Sequence, residues 1–167
     1  MIYPSTFEKK TGFDAVRRVV ADACLSAMGR EEADAMSFSP DYDSVAMKLR
    51  QTAEMLSLTT GDSEFQLGAI HDMRAAVKGI RVQGSFMPAQ ELMQLRAVLD
   101  TVSGLHAFFS SRRNDDGVSS LPALDVVAER LVPLPEAARS IDRLLDRWGN
   151  VRDNASPEVA DIRRWLR

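Results

Sequence analysis

The chain has 167 residues, 45% of them hydrophobic and 27% charged, which is the balance of a folded globular protein of one ordinary domain or two small lobes. Lys and Arg number 21 against 24 Asp and Glu, and the formal charge of -3 excludes a generally basic nucleic-acid-binding module while leaving room for local basic faces. No run approaches the roughly 18 apolar residues of a membrane span, and the opening MIYPSTFEKK has no apolar stretch behind a charged one, so the expectation is a cytoplasmic protein with no membrane segment and no secretory signal.

The period along the chain is helical almost throughout. After a short turn around Thr6 to Lys10 and a break at Gly12, FDAVRRVVADAC places Phe13, Val16, Val20 and Ala23 on one face and Arg17, Arg18 and Asp22 on the other. The next helix, LSAMGREEADAM, offers Met28, Ala33 and Met36 as its buried side, with Gly29 letting another helix approach. SFSPDYDSV then predicts a long helix capped by Ser39 with Pro40 at its first position, carrying Val45, Leu49, Ala53 and Leu56 as its stripe to the turn TTGD. Asp72 reads as the cap of a short helix through Val77, and IRVQ between Gly79 and Gly84 as a brief extended piece.

From Pro88, residues Leu92, Leu95, Leu99, Val102, His106 and Phe109 recur at alternating spacings of 3 and 4, the seam of a helix packed lengthwise on others. SSRRNDDGVSS reads as an exposed or disordered loop, or as a turn between antiparallel helices. Leu121, Leu124, Ala128 and Leu131 mark a short helix stopped by PLP, and Ala138, Ile141, Leu145 and Trp148 mark another ending near Gly149. Ser156, Pro157 and Glu158 open a last helix with Val159, Ile162 and Leu166 on one stripe. No stop residue follows it, which predicts continuation in a longer parent protein. The fold expected is all-α: an irregular helical domain of roughly seven to nine helices with at most a minor hairpin.

No GxxxxGK[ST] or GxGxxG string is present to close backbone N–H groups on phosphates, and one Cys with two distant His cannot build a zinc site, so no catalytic, cofactor or metal residue is expected in this segment. Cys24 ends an apolar helical stripe and reads as a packed thiol. His71-Asp72 resembles the pair of the metal-dependent phosphohydrolases, but no His precedes it and Asp72 has a role as a cap. His106 on its apolar seam reads as a partly buried imidazole. Arg139, Arg143 and Arg147 recur at i, i+4, i+8 with Asp142 and Asp146 between them, a salt-bridged solvated face. Arg163, Arg164 and Arg167 crowd the last helix beside Glu158 and Asp161, and they are the candidate nucleic-acid contacts because the guanidinium fork suits phosphate.

The strings IYPSTFEKKTGFDAVRRVV, CLSAMGREEADAMSFSPDYDSVAMKLRQTAEM, VQGSFMPAQELMQLRAVL and LLDRWGNVRDNASPEVADIRRWLR, in this order, resemble the amino-terminal part of the MutS-like proteins. The branch is the bacterial one that lacks the mismatch-reading domain and ends in an Smr nuclease. MGRE at Met28 to Glu31 and DNASPEVADIRR at Asp153 to Arg164 are the most specific pieces. The stretch from Phe108 to Ser120 departs most, and Met87 stands before Pro88 where the family pattern has a capping Ser. The resemblance implies that residues 1–167 are the N-terminal part of a helical core or lever domain, with the ATPase, clamp and Smr domains outside this chain. It further implies a homodimeric, ATP- and Mg-dependent clamp on DNA or the ribosome that suppresses homologous recombination and splits stalled, collided ribosomes. A free-standing helical adaptor that binds a partner through exposed Leu and Met is the alternative from another class.

Overall fold

The computed structural model describes residues 6–61 and 65–165, and it divides into two compact units, 6–50 and 51–165, within the long helix α4 (Tyr42–Thr60). Among the described residues there are nine helices and no strand, so the all-α expectation holds, and the minor hairpin reduces to single bridges between Arg113 and Ser119 and between Leu145 and Val151.

In the first unit, α1 (Phe7–Thr11) and α2 (Phe13–Ala23) meet at Gly12, where the sequence predicts a break. The face of α2 is rotated from expectation. Ala21 is buried, while Val16, Val19 and Val20 are 55%, 70% and 40% exposed. Arg17 explains the rotation. Its guanidinium donates to Glu8 Oε2 of α1 at 2.6 Å and to the Met36 carbonyl at 2.9 Å, and it lies 5.0 Å from the Phe13 ring centroid. One inward cation thus satisfies groups from three segments, and the valines turn outwards. In α3 (Ala27–Asp34), Ser26 Oγ accepts from Gly29 N at 3.0 Å, and the space beside Gly29 faces Ser26 and Cys24 of the preceding turn, not another helix. Ala33 is buried as expected, but Met36 is exposed.

Helix α4 begins at Tyr42, later than Ser39 and Pro40 predict, because the Ser39 hydroxyl accepts from Asp41 N at 3.2 Å and Asp41 takes the cap by accepting from Ser44 N at 3.2 Å. Its stripe is also turned: Leu49 and Leu56 are exposed, and Leu58 is buried. In the second unit Glu54 is what orients α4. Its carboxylate accepts from Ala123 N at 3.0 Å and Leu124 N at 2.8 Å, while Gln51 Nε2 donates to the Ala123 carbonyl at 3.2 Å. Glu54 therefore caps α7 (Pro122–Ala128), whose own N-cap residue Leu121 has no side-chain acceptor.

Around this cap Leu58, Phe109, Leu121, Leu124 and Ala128 form one buried cluster, with Phe65, Phe108 and Leu131 packed on it and the Phe65 and Phe108 rings edge-on at 5.2 Å. A second cluster joins Leu99 of α6 (Ala89–Ser110) to Ile141 of α8 (Pro135–Leu144) and to Leu145 beyond it. The chain before α5 (Arg74–Gly79) runs close over α6: Thr101 Oγ1 donates to the Ala69 carbonyl at 3.0 Å, and a Cβ at Gly68 would collide with that hydroxyl. IRVQ is a series of turns, not an extended piece, because Ile80 N, Arg81 N and Val82 N all bond back to carbonyls of α5. Residues 110–120 form an ordered turn closed by Asn114, whose Oδ1 accepts from Asp116 N at 3.1 Å and Val118 N at 2.8 Å.

Candidate nucleic-acid interface

The arginine-bearing end of the second unit is built on a rigid turn. Helix α8 stops at Leu144, short of Gly149, because Asp146 draws the chain out of the helix: it accepts from Trp148 N and Asn150 N, each at 2.9 Å, and from Asn150 Nδ2 at 3.1 Å. Gly149 has φ 85°, open to glycine at low cost, and a Cβ there would lie 3.3 Å from Met93. Arg152 Nε caps the end of α8 by donating to the Asp142 carbonyl at 2.9 Å and to Leu145 O at 2.8 Å. Trp148, expected on the core stripe, instead lies 70% exposed beneath the guanidinium of Arg147, 4.0 Å from the ring centroid.

The alternating charges of α8 do not pair along the helix as their spacing predicts. Asp142 receives a bidentate pair from Arg96 of α6, at 2.8 and 2.9 Å, and Arg96 also pairs with Asp100. The Arg96 guanidinium holds the Asp142 carboxyl below the usual carboxylate range. Arg139 pairs with Glu136 in place of Asp142. The geometry clamps α8 onto α6 through charges far apart in sequence.

Helix α9 (Pro157–Trp165) starts at the expected cap, Ser156 Oγ accepting from Val159 N at 3.2 Å. Arg163 folds back to pair with Asp153 and to donate to the Val151 carbonyl at 2.9 Å, so it fastens α9 to the turn. Arg164 is 3.5 Å from Asp161 and its side chain is 78% exposed. Arg167 and Leu166 lie outside the described residues. No residue of α9 is buried, and Trp165 is 93% exposed. The structure thus places Arg163 and Arg164 on one short helix, Arg163 committed to the fold and Arg164 open to solvent.

Of the other sequence candidates, Asp72 is not the N-cap of α5, which is Met73, but it braces that start from one residue earlier: Oδ1 accepts from Arg74 N at 3.0 Å and from Arg74 Nε at 2.8 Å. That occupies the carboxylate which a metal at His71-Asp72 would need. Among the described residues no three His, Cys, Asp or Glu side chains come together to hold a metal ion. His106 is exposed, not partly buried, although Phe109, three residues on along the same seam, lies in the core. It borders a cleft of about 180 Å³ with Ser110, Arg113, Asp125 and Glu129, where Arg113 bridges Asp125 at 2.8 Å and Glu129 at 3.3 Å. Cys24 is half-buried with its thiol donating to the Val20 carbonyl at 3.3 Å. In the first unit an open cleft of about 430 Å³ is lined by Phe7, Phe13, Phe38 and Val45, and its one carboxylate, Glu8, is spent on Arg17. Among the described residues no helix is long and apolar enough to cross a membrane.

Helices joined by charged side chains do not define a class by themselves; similarity along the chain does, and it is to MutS-like proteins. Its relatives are specific: it is 28% identical to the endonuclease MutS2 of Leuconostoc mesenteroides over 90% of this chain. To endonuclease MutS2 of Geobacillus sp. it is 28% identical, and to that of Thermomicrobium roseum 31%, each over 93% of this chain. In all three matches the chain spans 19% of the relative's length. No protein-family model matches the chain. The resemblance read from the sequence strings is borne out, and the chain is a MutS2-like segment.

Proposed function

We propose that this chain is the helical core segment of a MutS-like, ATP-driven nucleic-acid clamp with an endonuclease domain, and that it acts as the scaffold between an ATPase and the clamp. What carries the reading is the match along 93% of the chain to proteins named endonuclease MutS2, of which it spans 19%. The 22-residue α6, locked to α8 by the Arg96–Asp142 pair, is the stiff element that such transmission requires. The finer parts of the proposal are ATP and Mg bound elsewhere in the protein, a homodimer in the cytoplasm, suppression of homologous recombination on DNA, and rescue of stalled ribosomes.

In a protein of MutS2 length, Arg96→Ala is expected to leave ATP hydrolysis intact and to reduce the ATP-dependent change in DNA affinity about tenfold, within the range of ordinary coupling energies. Coupling unchanged by this substitution removes α6 from the transmission. Arg163, Arg164 and Arg167 are the proposed nucleic-acid contacts. Arg164 is the best placed of the two described, since exchanging an exposed i, i+3 pair with Asp161 for a phosphate costs little. Replacing all three by Ala is expected to lower the salt slope of binding by about one for each phosphate that an arginine neutralises. The adaptor reading is favoured by the exposed Trp148 and Trp165, and a specific protein complex of the chain alone, needing no nucleotide, is the result that selects it.

A further inference from the structure

The turn between α8 and α9 carries an aromatic ring at its tip. Its limbs are joined by the Leu145–Val151 bridge and by Asp146 N donating to the Asn150 carbonyl at 2.9 Å, which leaves residues 147–149 at the end. There the Arg147 guanidinium lies 4.0 Å from the Trp148 ring centroid, and Trp148 stays 70% exposed under that cover, so the opposite ring face is open to solvent. Stacking occupies a face of the guanidinium and leaves its in-plane N–H donors free. The neighbouring acids do not take them, because Asp146 accepts from N–H groups of its own turn and Asp142 from Arg96. Among the described residues Arg147 has no ion-pair partner.

The tip is tied to the arginines of α9. Arg163 donates to the Val151 carbonyl at 2.9 Å and pairs with Asp153, so α9, with the exposed Arg164, is fastened to the limb that leads out of the tip. An open ring face beside unpaired guanidinium donors fits a ligand that brings a planar π-system and an anionic oxygen together. A nucleotide does so. A duplex keeps its base faces stacked inside and offers its phosphates alone, whereas an unpaired stretch offers both. We infer that Trp148 is a stacking platform for one base of a single-stranded nucleic acid, with Arg147 on the flanking phosphate. The Asp146 turn and Gly149 fix the place of the ring in advance, which spares the ordering cost of a mobile loop. The inference rests on the reading of Arg163, Arg164 and Arg167 as phosphate contacts, and it names the form of nucleic acid that they meet.

The chain has two tryptophans, so in Trp165→Phe the tryptophan fluorescence is that of Trp148. Oligothymidylate of about ten nucleotides, within the range of single-strand site sizes, is expected to quench it at low salt, and a blunt duplex of the same length to leave it unchanged. Trp148→Ala is expected to bind the labelled single strand about 5- to 100-fold more weakly, the span for one base stacked on an aromatic ring, with the salt slope unchanged because no charge is removed. Arg147→Gln is expected to make that slope shallower by about 0.7, the share of one phosphate on a single strand. Both side chains are exposed, so neither exchange disturbs the core. Absence of quenching up to about 1 mM strand, a range that reads millimolar affinities, overturns the inference. So does equal quenching by the duplex, or by an acidic glutamate–tyrosine copolymer, which selects a protein partner. Duplex binding that depends on the α9 arginines, without quenching by the single strand, removes the platform and keeps the phosphate reading. Quenching by a single strand whose binding ignores those arginines does the reverse.

Discussion

Between residues 51 and 165 apolar side chains close on one another, whereas between 6 and 50 they largely face outwards, although the two stretches show the same helical period. The second unit buries Leu58, Leu99, Phe109, Leu121, Leu124, Ile141 and Leu145, and the buried residues of the first, among those described, are Ala21 and Ala33. What holds the first unit is polar: Arg17 joins α1, α2 and the chain after α3. An apolar stripe therefore says that a face is to be covered. It does not say that the covering element belongs to the same unit. Polar residues with partners distant in sequence decide which face turns inwards, Arg17 in one unit and Glu54 and Arg96 in the other.

The largest effect that would break this comparison is a core truncation. Ile141→Ala is expected to cost about 2–5 kcal/mol in urea unfolding, from reduced burial and the cavity left between α6 and α8. Val19→Ala, on the outward face of α2, is expected to change stability by less than about 0.5 kcal/mol. Equal costs at the two sites would mean that the stripe of α2 is covered in the isolated chain after all. A smaller effect is expected at Glu54→Gln, which leaves one good acceptor for two N–H donors and removes the charge at the start of α7. The expected cost is about 1 kcal/mol. Hydrogen exchange locates it: the amides of Ala123 and Leu124 should speed up more than those of α8. A uniform acceleration would show that Glu54 supports the whole unit and is not a local cap.

Element positions were legible wherever the signal lies within a few residues. Gly12 separates two helices, PLP lies between the end of α7 and the start of α8, Ser156 caps α9, and Asp72 bonds to Arg74 N. Faces were legible where one apolar stripe meets another inside the unit, as for Leu121, Leu124, Ala128, Ile141 and Leu145. They were not legible for α2 and α4, because Arg17 and Glu54 look like solvent residues until their partners are known. The candidate interface divides in the same way. The pairing of Arg164 with Asp161 follows from their spacing, but the bond from Arg163 to Asp153 crosses a turn that has no period. The exposure of Trp148 follows from Asp146 ending α8 early, a turn signal that its place in an apolar repeat conceals.

The smallest expected effect isolates an interaction that owes nothing to either unit's interior. The side chain of Arg74, and then its backbone N–H, draw the Asp72 carboxyl down from 3.8 to about 2. A depressed carboxylate pKa contributes stability that is fully present above the ordinary value near 4 and is lost as pH falls through about 2. A carboxyl titration by NMR is expected to show that midpoint in the native chain. In Arg74→Ala the midpoint should move most of the way back towards 3.8, stopping short because the residue 74 N–H still donates. Over the same pH interval the amides at the start of α5 should begin to exchange while those of α6 stay protected, since Asp72 is exposed and belongs to neither buried cluster. Simultaneous loss of both would tie α5 to the core of the second unit and extend the cooperative region beyond the two buried clusters to the chain that precedes α6.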